Sequence, residues 1–430
     1  MKLVCTVSFI MLENKEILYM NELKETKICS KCGRELPIDR FPQNSRGTWC
    51  KNCISTYTSE VRGFAVTEEN EVKIERIYKE PIPARILDTK RAGIELVNTD
   101  ECFVQLINYK NAWISNYGRP LEYNNGKYMF KRTKENESGE KVCTLQKNIY
   151  DGEKWIWQKH TIEVWRLVVS VFIVNFDMVG NTHCWHKDNN KADNYYKNIY
   201  PMNDKQYNAV LERYTDGADI TDELITDIVN DIKYKADDWY ANKWKRTVFG
   251  IGYLGCNDAE ATRDNYIYSK WSNMMQRCYD EETHKLKPYY APCTAEIEWL
   301  NFSNYRVWHK ENEMGDRKVD LDKDVLVQGN TVYGSETCTL IPHFTNTLFE
   351  APKGTDTNIV LNNTTGKYDV TMSILGKKED VGTFDTEEEA KQGYIDYKQN
   401  YIREFTKKCK GKVPHKTYEA MMNWVVEITD

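Results

Sequence analysis

The sequence predicts a multidomain α+β protein. Three observations carry this. The chain has 430 residues, more than one small core usually organises. Two cysteine pairs near the start sit at metal-binding spacing. After them, short strands joined by Asn/Gly turns alternate with segments of helical period, and the tail reads strand–turn–strand–helix.

The opening MKLVCTVSFIML is apolar, but too short to cross a bilayer and without a small-residue cleavage site. A buried strand or an over-extended start is expected, Met20 being an alternative first residue. Net charge is −6, so binding of nucleic acid by bulk attraction is excluded and local basic faces are needed. The thirteen cysteines form no even framework, which suits a reducing cytoplasm.

Cys29 to Cys53 reads CSKCGRELPIDRFPQNSRGTWCKNC. Thiolates two residues apart on a knuckle turn hold one side of a tetrahedral zinc, and a second knuckle completes it. Cys29, Cys32, Cys50 and Cys53 are therefore expected to bind structural Zn²⁺, which supplies folding energy that so short a segment cannot obtain by burial. Lys24, Lys27, Lys31, Arg34, Arg40, Arg46 and Lys51 make the segment basic, which fits a phosphate contact; a plain scaffold is the alternative. Residues 54 to about 85 are charged and poorly periodic, and read as a linker ending at Pro81 and Pro83.

AWISNYGRPLEYNNGKY alternates around turns at Asn116–Gly118 and Asn124–Gly126. WRLVVSVF follows as an apolar helix or strand. Then comes THCWHKDNNKADNYYKNIYPMN, Thr182 to Asn203. Residues 219–244 read as a helix with an apolar stripe (Leu224, Ile225, Ile228, Val229, Ile232, Ala236, Trp239) and an acidic face, expected to act as a spacer. YSKWSNMMQRCYD and AEIEWLNFSNYRVWHKEN are each expected to be helical, with aromatic stripes serving as core. In the tail, Tyr368, Val370, Met372 and Ile374 alternate as a strand. Leu375-Gly376-Lys377 turns into a second strand. Thr386 and Glu389 form a capping box for a final helix.

WISNYGRPL, WRLVVSVF and HKDNNKADN…NIYPMN together resemble the phage and intron histidine–asparagine–histidine (HNH) homing endonucleases, over roughly residues 100 to 210. The resemblance implies a ββα-metal, or His-Me finger, core. It implies metal-assisted phosphodiester hydrolysis of double-stranded DNA with Mg²⁺ or Mn²⁺. Carried over by position, His186 is the general base, Asp188 sits in the loop entry, and Asn194 and Asn198 order the loop. Three positions depart from the family. Its first metal ligand falls on Trp185, its helix ligand on Tyr207 with Asn208 one residue off, and the histidine of the preceding segment on Trp165. Tryptophan has no acceptor for Mg²⁺, which takes oxygen ligands. His183, Asp188 and Asn208 are the candidate substitutes. The resemblance is read as an endonuclease acting on double-stranded DNA; the alternative is a catalytically inactive descendant acting as a DNA- or protein-binding regulator or phage anti-defence factor, with a host or phage protein as partner.

Leu321–Asn330 aligns with Trp185–Asn194, matching Lys187 to Lys323, Asp188 to Asp324 and Asn194 to Asn330. A second, degenerate core is expected here, with Asp322 opposite His186 and therefore no histidine base. KWSNMMQRCY, EWLNF and GKYDV…VGTFDTEEEAKQGY resemble a phage family ending in an ethylene-response-factor-type domain. That resemblance implies a three-stranded sheet plus helix lying in the DNA major groove, with Lys367, Lys377 and Lys378 as phosphate contacts.

The expected organisation is thus an extension (1–23), zinc ribbon (24–60), HNH-like core (85–210), linker helix (211–246), degenerate core (247–350) and DNA reader (353–430). The expected setting is the bacterial host cytoplasm, with no membrane partner.

Overall fold

The computed structural model describes residues 3–10, 18–29, 33, 35–37, 71–232, 243–256, 264–315, 319–349, 359–374 and 377–427. Cys32, Cys50 and Cys53 lie outside the described residues, as do Leu375 and Gly376. The chain is mixed α+β with several small sheets. No helix among the described residues is long and apolar enough to cross a membrane.

The chain divides into two compact units, Met1–Glu71 with Arg246–Gly250, and Val72–Lys245 with Ile251–Asp430. In the first, β1 (Leu3–Ile10), β2 (Leu18–Ile28) and β3 (Glu35–Pro37) form an antiparallel sheet. The apolar start is thus a strand, and β2 runs through residue 23, where the sequence suggested a boundary. Cys29 is buried and its carbonyl accepts from Gly33 N at 2.8 Å.

The second unit begins with a correction. Residues 72–79 are not a free linker. Val72 N donates to Trp244 O, Val174 N to Ile77 O, and Lys79 Nζ reaches Glu298 at 2.6 Å. The segment lacks periodicity because its backbone is satisfied by distant partners, not by neighbours.

Next, β4 (Phe103–Gln105), β5 (Ala112–Ser115), β6 (Pro120–Asn124) and β7 (Lys127–Phe130) make a four-stranded antiparallel meander. Asn125 and Gly126, both at positive φ, give the tight turn that the Asn-Gly pair predicts. β8 (Lys134–Glu135) pairs with β9 (Lys141–Tyr150), which forms a long hairpin with β10 (Trp155–Glu163). Helix α1 (Val164–Phe172) buries seven of its nine residues against Ile114, Leu145 and Cys184. WRLVVSVF is therefore a helix.

β11 (His183–His186) and β12 (Ile199–Met202) pair antiparallel, and α2 (Asp204–Thr215) follows behind a capping box of Asn203 and Gln206. α3 (Asp222–Ile232) places Ile225 and Val229 into a core with Trp185, Tyr200, Met202 and Val210. It is part of this core rather than a spacer. Periodicity identifies the stripe but not the partner that covers it.

Short strands β13 (Thr294–Ala295) and β15 (Val332–Tyr333) pair in parallel, while β14 (Val319–Asp322) and β16 (Thr339–Pro342) pair antiparallel. α4 (Asn265–Tyr279) buries Trp271, Met274, Met275 and Cys278. The following segment is not one helix. A 3₁₀ turn (Ile297–Leu300) stops at Asn301, whose side chain accepts from Ser303 N and starts α5 (Phe302–Asn312). Asn301 is fully buried and its Nδ2 also donates to Phe176 O at 2.8 Å. An asparagine at this point competes with the helix for backbone partners, which the aromatic stripe hides. α6 (His343–Phe349) follows β16.

β17 (Ile359–Asn362), β18 (Lys367–Ile374) and β19 (Lys377–Phe384) form an antiparallel sheet on α7 (Glu387–Lys408). The expected capping box of Thr386 and Glu389 is present. Val370, Met372, Ile374, Ala390 and Tyr394 make the small core. α8 (His415–Met422) packs beside α7.

Candidate functional site

The site starts from strand alternation in β11. Cys184 and His186 share one face, His183 and Trp185 the other. His186 ends the strand opposite Ile199. The loop that follows is rich in Asn and Asp because its backbone must be satisfied locally. Asn198 Oδ1 accepts from Asp188 N at 3.0 Å, while its Nδ2 donates to Asp188 Oδ1 at 2.8 Å and Asp193 O at 2.9 Å. Asp188 Oδ1 also accepts from Asn190 N at 2.9 Å. Asn194 is 3% exposed and its Oδ1 lies 3.4 Å from His186 Nε2.

The Asn116–Gly118 turn docks on this loop. Asn116 O accepts from Tyr196 N at 2.8 Å. Gly118 has φ +72°, and a Cβ there would stand 2.5 Å from Asn194 Cβ, so only glycine permits the approach. Sequence-distant segments, WISNYGRPL and the 187–198 loop, thus form one assembly around His186.

His186 itself is 3% exposed, with a buried Nδ1 that has no hydrogen-bond partner. Burial pushes its pKa below the usual histidine value. The ring is neutral near pH 7, the form a base requires, but it is shut off from water. Trp185, on the other face, is 2% exposed and meets Tyr207 and Tyr214 of α2 edge-on, at 5.9 and 5.6 Å. Trp185 and Tyr207 are therefore in direct ring contact. His183 packs on Tyr207 at 5.2 Å and stands 3.9 Å from exposed Asp204. Asn208 is exposed on α2. Trp165 belongs to the core under α1. Among the described residues no group of three or more His, Cys, Asp or Glu side chains is placed to hold a metal ion.

The 319–349 segment repeats the strand–loop–strand–helix order. Asp322 ends β14 opposite Thr339, as His186 ends β11 opposite Ile199. Its Oδ1 accepts from Asp324 N at 2.9 Å and Val325 N at 2.6 Å. Asp320 is engaged by His343 at 2.6 Å and Asp324 by Lys323 at 2.8 Å. Each aspartate of the VDLDKD run thus has a protein partner. Asn330 Nδ2 ties the loop to Lys323 O at 3.0 Å.

Burial pushes Asp322 up to about 6 from 3.8. Between these values the native state holds more proton than the unfolded chain, so this group lowers stability as pH rises. Asp322→Asn keeps the Oδ1 acceptor and removes the charge. It is expected to raise stability at pH 7 by up to about 3 kcal/mol and to leave pH 4 stability nearly unchanged. Urea melts at the two pH values check this; equal shifts at both would refute it.

In the C-terminal sheet the three lysines do not share one face. Lys377 pairs with Ile374 and Lys378 with Ser373, so their side chains leave on opposite faces. Lys367 and Lys378 share the open face with Asp369 and Asp380, and Lys367 is tied to Asp385 at 2.9 Å.

Further exposed lysines lie elsewhere. Lys408 ends α7, Lys410 and Lys412 follow it, and all three are exposed. Gly411 O accepts from Trp155 N at 2.8 Å, which brings exposed Lys154 of the β9–β10 hairpin beside them. The run KKCKGK was the available sequence signal; its proximity to Lys154 was not.

Comparison of the chain with protein families, curated proteins and solved structures finds no significant match.

Proposed function

We propose that this chain is a non-cleaving DNA-binding protein, built on the scaffold of the HNH homing endonucleases it resembles. The observation that carries the reading is the Trp185–Tyr207–Tyr214 contact, which occupies the space between strand and helix with rings in place of oxygen ligands. The burial of His186 supports it. The exposed lysines around residues 408–412 suit phosphate contacts despite the net charge of −6. In this reading Cys29, Cys32, Cys50 and Cys53 hold a structural Zn²⁺ through their two CxxC pairs.

The test is duplex DNA with Mg²⁺ or Mn²⁺, using the full chain and a His186→Ala control. Binding without nicking is expected from both. The triple variant Lys408→Ala/Lys410→Ala/Lys412→Ala should flatten the salt dependence of binding, by about one unit of slope for each phosphate no longer neutralised. Lys377→Ala/Lys378→Ala should flatten it less. Nicking that His186→Ala abolishes would establish the endonuclease instead, and no binding at low salt would exclude both DNA readings.

A further inference from the structure

Strand alternation divides the β4–β7 meander into two faces. Val104, Ala112 and Ile114 lie on one and join the core with α1. Phe103, Trp113, Leu121, Tyr123, Tyr128 and Phe130 lie on the other. The directly opposite pairs Trp113–Leu121, Leu121–Phe130 and Tyr123–Tyr128 fix this assignment.

The second face is aromatic and opens outward. Phe103 and Leu121 are buried in it, and Trp113 and Tyr128 are half-buried. Tyr123 is 39% exposed and Phe130 47%. The rings hold one another. Tyr128 lies 4.7 Å from Tyr123 and 5.4 Å from Trp113, and Phe130 lies 6.0 Å from Phe103. Arg119, paired with Glu101 at 2.6 Å, sets its guanidinium 4.4 Å over the Phe130 ring. Cross-strand pairing of this kind orders the rings before any ligand arrives.

Charge is the second observation. From Lys110, before β5, to Lys134, at the start of β8, six Lys and Arg residues accompany a single carboxylate, Glu122, in a chain of net charge −6. Lys131 engages Glu122 at 2.9 Å, and the next carboxylate, Glu135, is engaged by Lys141 at 2.7 Å. Lys127 begins β7, and Arg132 and Lys134 follow it; all three are exposed, as is Lys110. β7 is the outer strand of the sheet, so cations stand at both ends of the strand that carries Phe130.

We propose that this face binds single-stranded DNA, with Tyr123 and Phe130 stacking on unpaired bases and Lys127, Arg132 and Lys134 meeting phosphates. Exposed rings beside cations suit a polyanion that also offers flat apolar surfaces, and a single strand offers both along its length. In a duplex the bases are stacked on one another and their faces are closed to such a platform. Every base has a π face, so no particular sequence is required. The choice of DNA over RNA rests on the function proposed above; the stacking does not. The site uses none of the lysines at 408–412.

Fluorescence anisotropy of the full chain is measured with oligo(dT) of about twelve nucleotides, an abasic DNA strand of equal length, oligo(rU) and a duplex. Oligo(dT) should bind about tenfold more tightly than the abasic strand, which carries the same phosphates without bases. Tyr123→Ala and Phe130→Ala should each weaken oligo(dT) about tenfold and leave duplex binding unchanged. Lys408→Ala/Lys410→Ala/Lys412→Ala should do the reverse, so the two DNA sites fail separately. Absence of oligo(dT) binding, equal affinity for the abasic strand, undiminished binding by both ring variants, or tighter binding of oligo(rU) overturns the proposal. If a ring variant fails to fold, the comparison of the strands on the unaltered chain still decides.

Discussion

Trp185→Ala lowers the stability of the chain by about 3–5 kcal/mol, measured by urea unfolding. Trp185 is buried and sits in a core with Tyr200, Met202, Val210, Ile225 and Val229, so truncation removes the packing between β11 and the two helices behind it. If the position belonged to an open metal site, its side chain would be partly solvated and truncation would cost little. A loss below about 1 kcal/mol would therefore remove the aromatic-filling argument. Under the same reading, adding Mg²⁺ leaves the unfolding midpoint unchanged, because a ligand stabilises only a state that binds it.

Lys79→Met costs a comparable amount through a different term. Lys79 Nζ lies 2.6 Å from Glu298 and donates to Ser170 O at 3.0 Å; the Glu298 side chain is only 8% exposed. Breaking a buried pair from one side leaves an uncompensated charge, at about 3–5 kcal/mol. The same site has a second carboxyl. Burial, with Glu298 beside it, pushes Glu296 up to about 7 from 4.5. A raised carboxyl binds more proton in the native state than in the unfolded one. Its contribution therefore falls as pH rises from 4.5 through about 7. Lys79 opposes that shift, so its removal extends the loss to higher pH. The deficit of Lys79→Met relative to the unaltered chain should be larger at pH 8 than at pH 5. Equal deficits at the two pH values would show that Lys79 acts by packing alone.

The local elements were legible. The alternation of Val370, Met372 and Ile374, the Thr386–Glu389 box and the Asn125–Gly126 turn each appear where their residues place them. The breaks were less legible. Asn301 divides what an aromatic stripe suggests is one helix, because its partner is Phe176 O, 125 residues away in sequence. Residues 72–79 lack any period because their hydrogen bonds are long-range. Of the candidate site, sequence placed His186, Asp188, Asn194 and Asn198 in one loop assembly. It also marked Trp185 and Tyr207 as anomalous. It could not show that these two rings touch, or that His186 is shut inside.

What the sequence by itself determined is everything set within a few residues: strand faces, caps and turns. Side-chain periodicity and capping are short-range effects, so they need no knowledge of the rest of the chain. The tertiary structure decided exposure and partnership. It alone turned His186 inward, joined Trp185 to α2 and set Gly118 against Asn194. Those outcomes depend on which distant surface covers a residue, and burial is a property of the packed chain rather than of any segment in it.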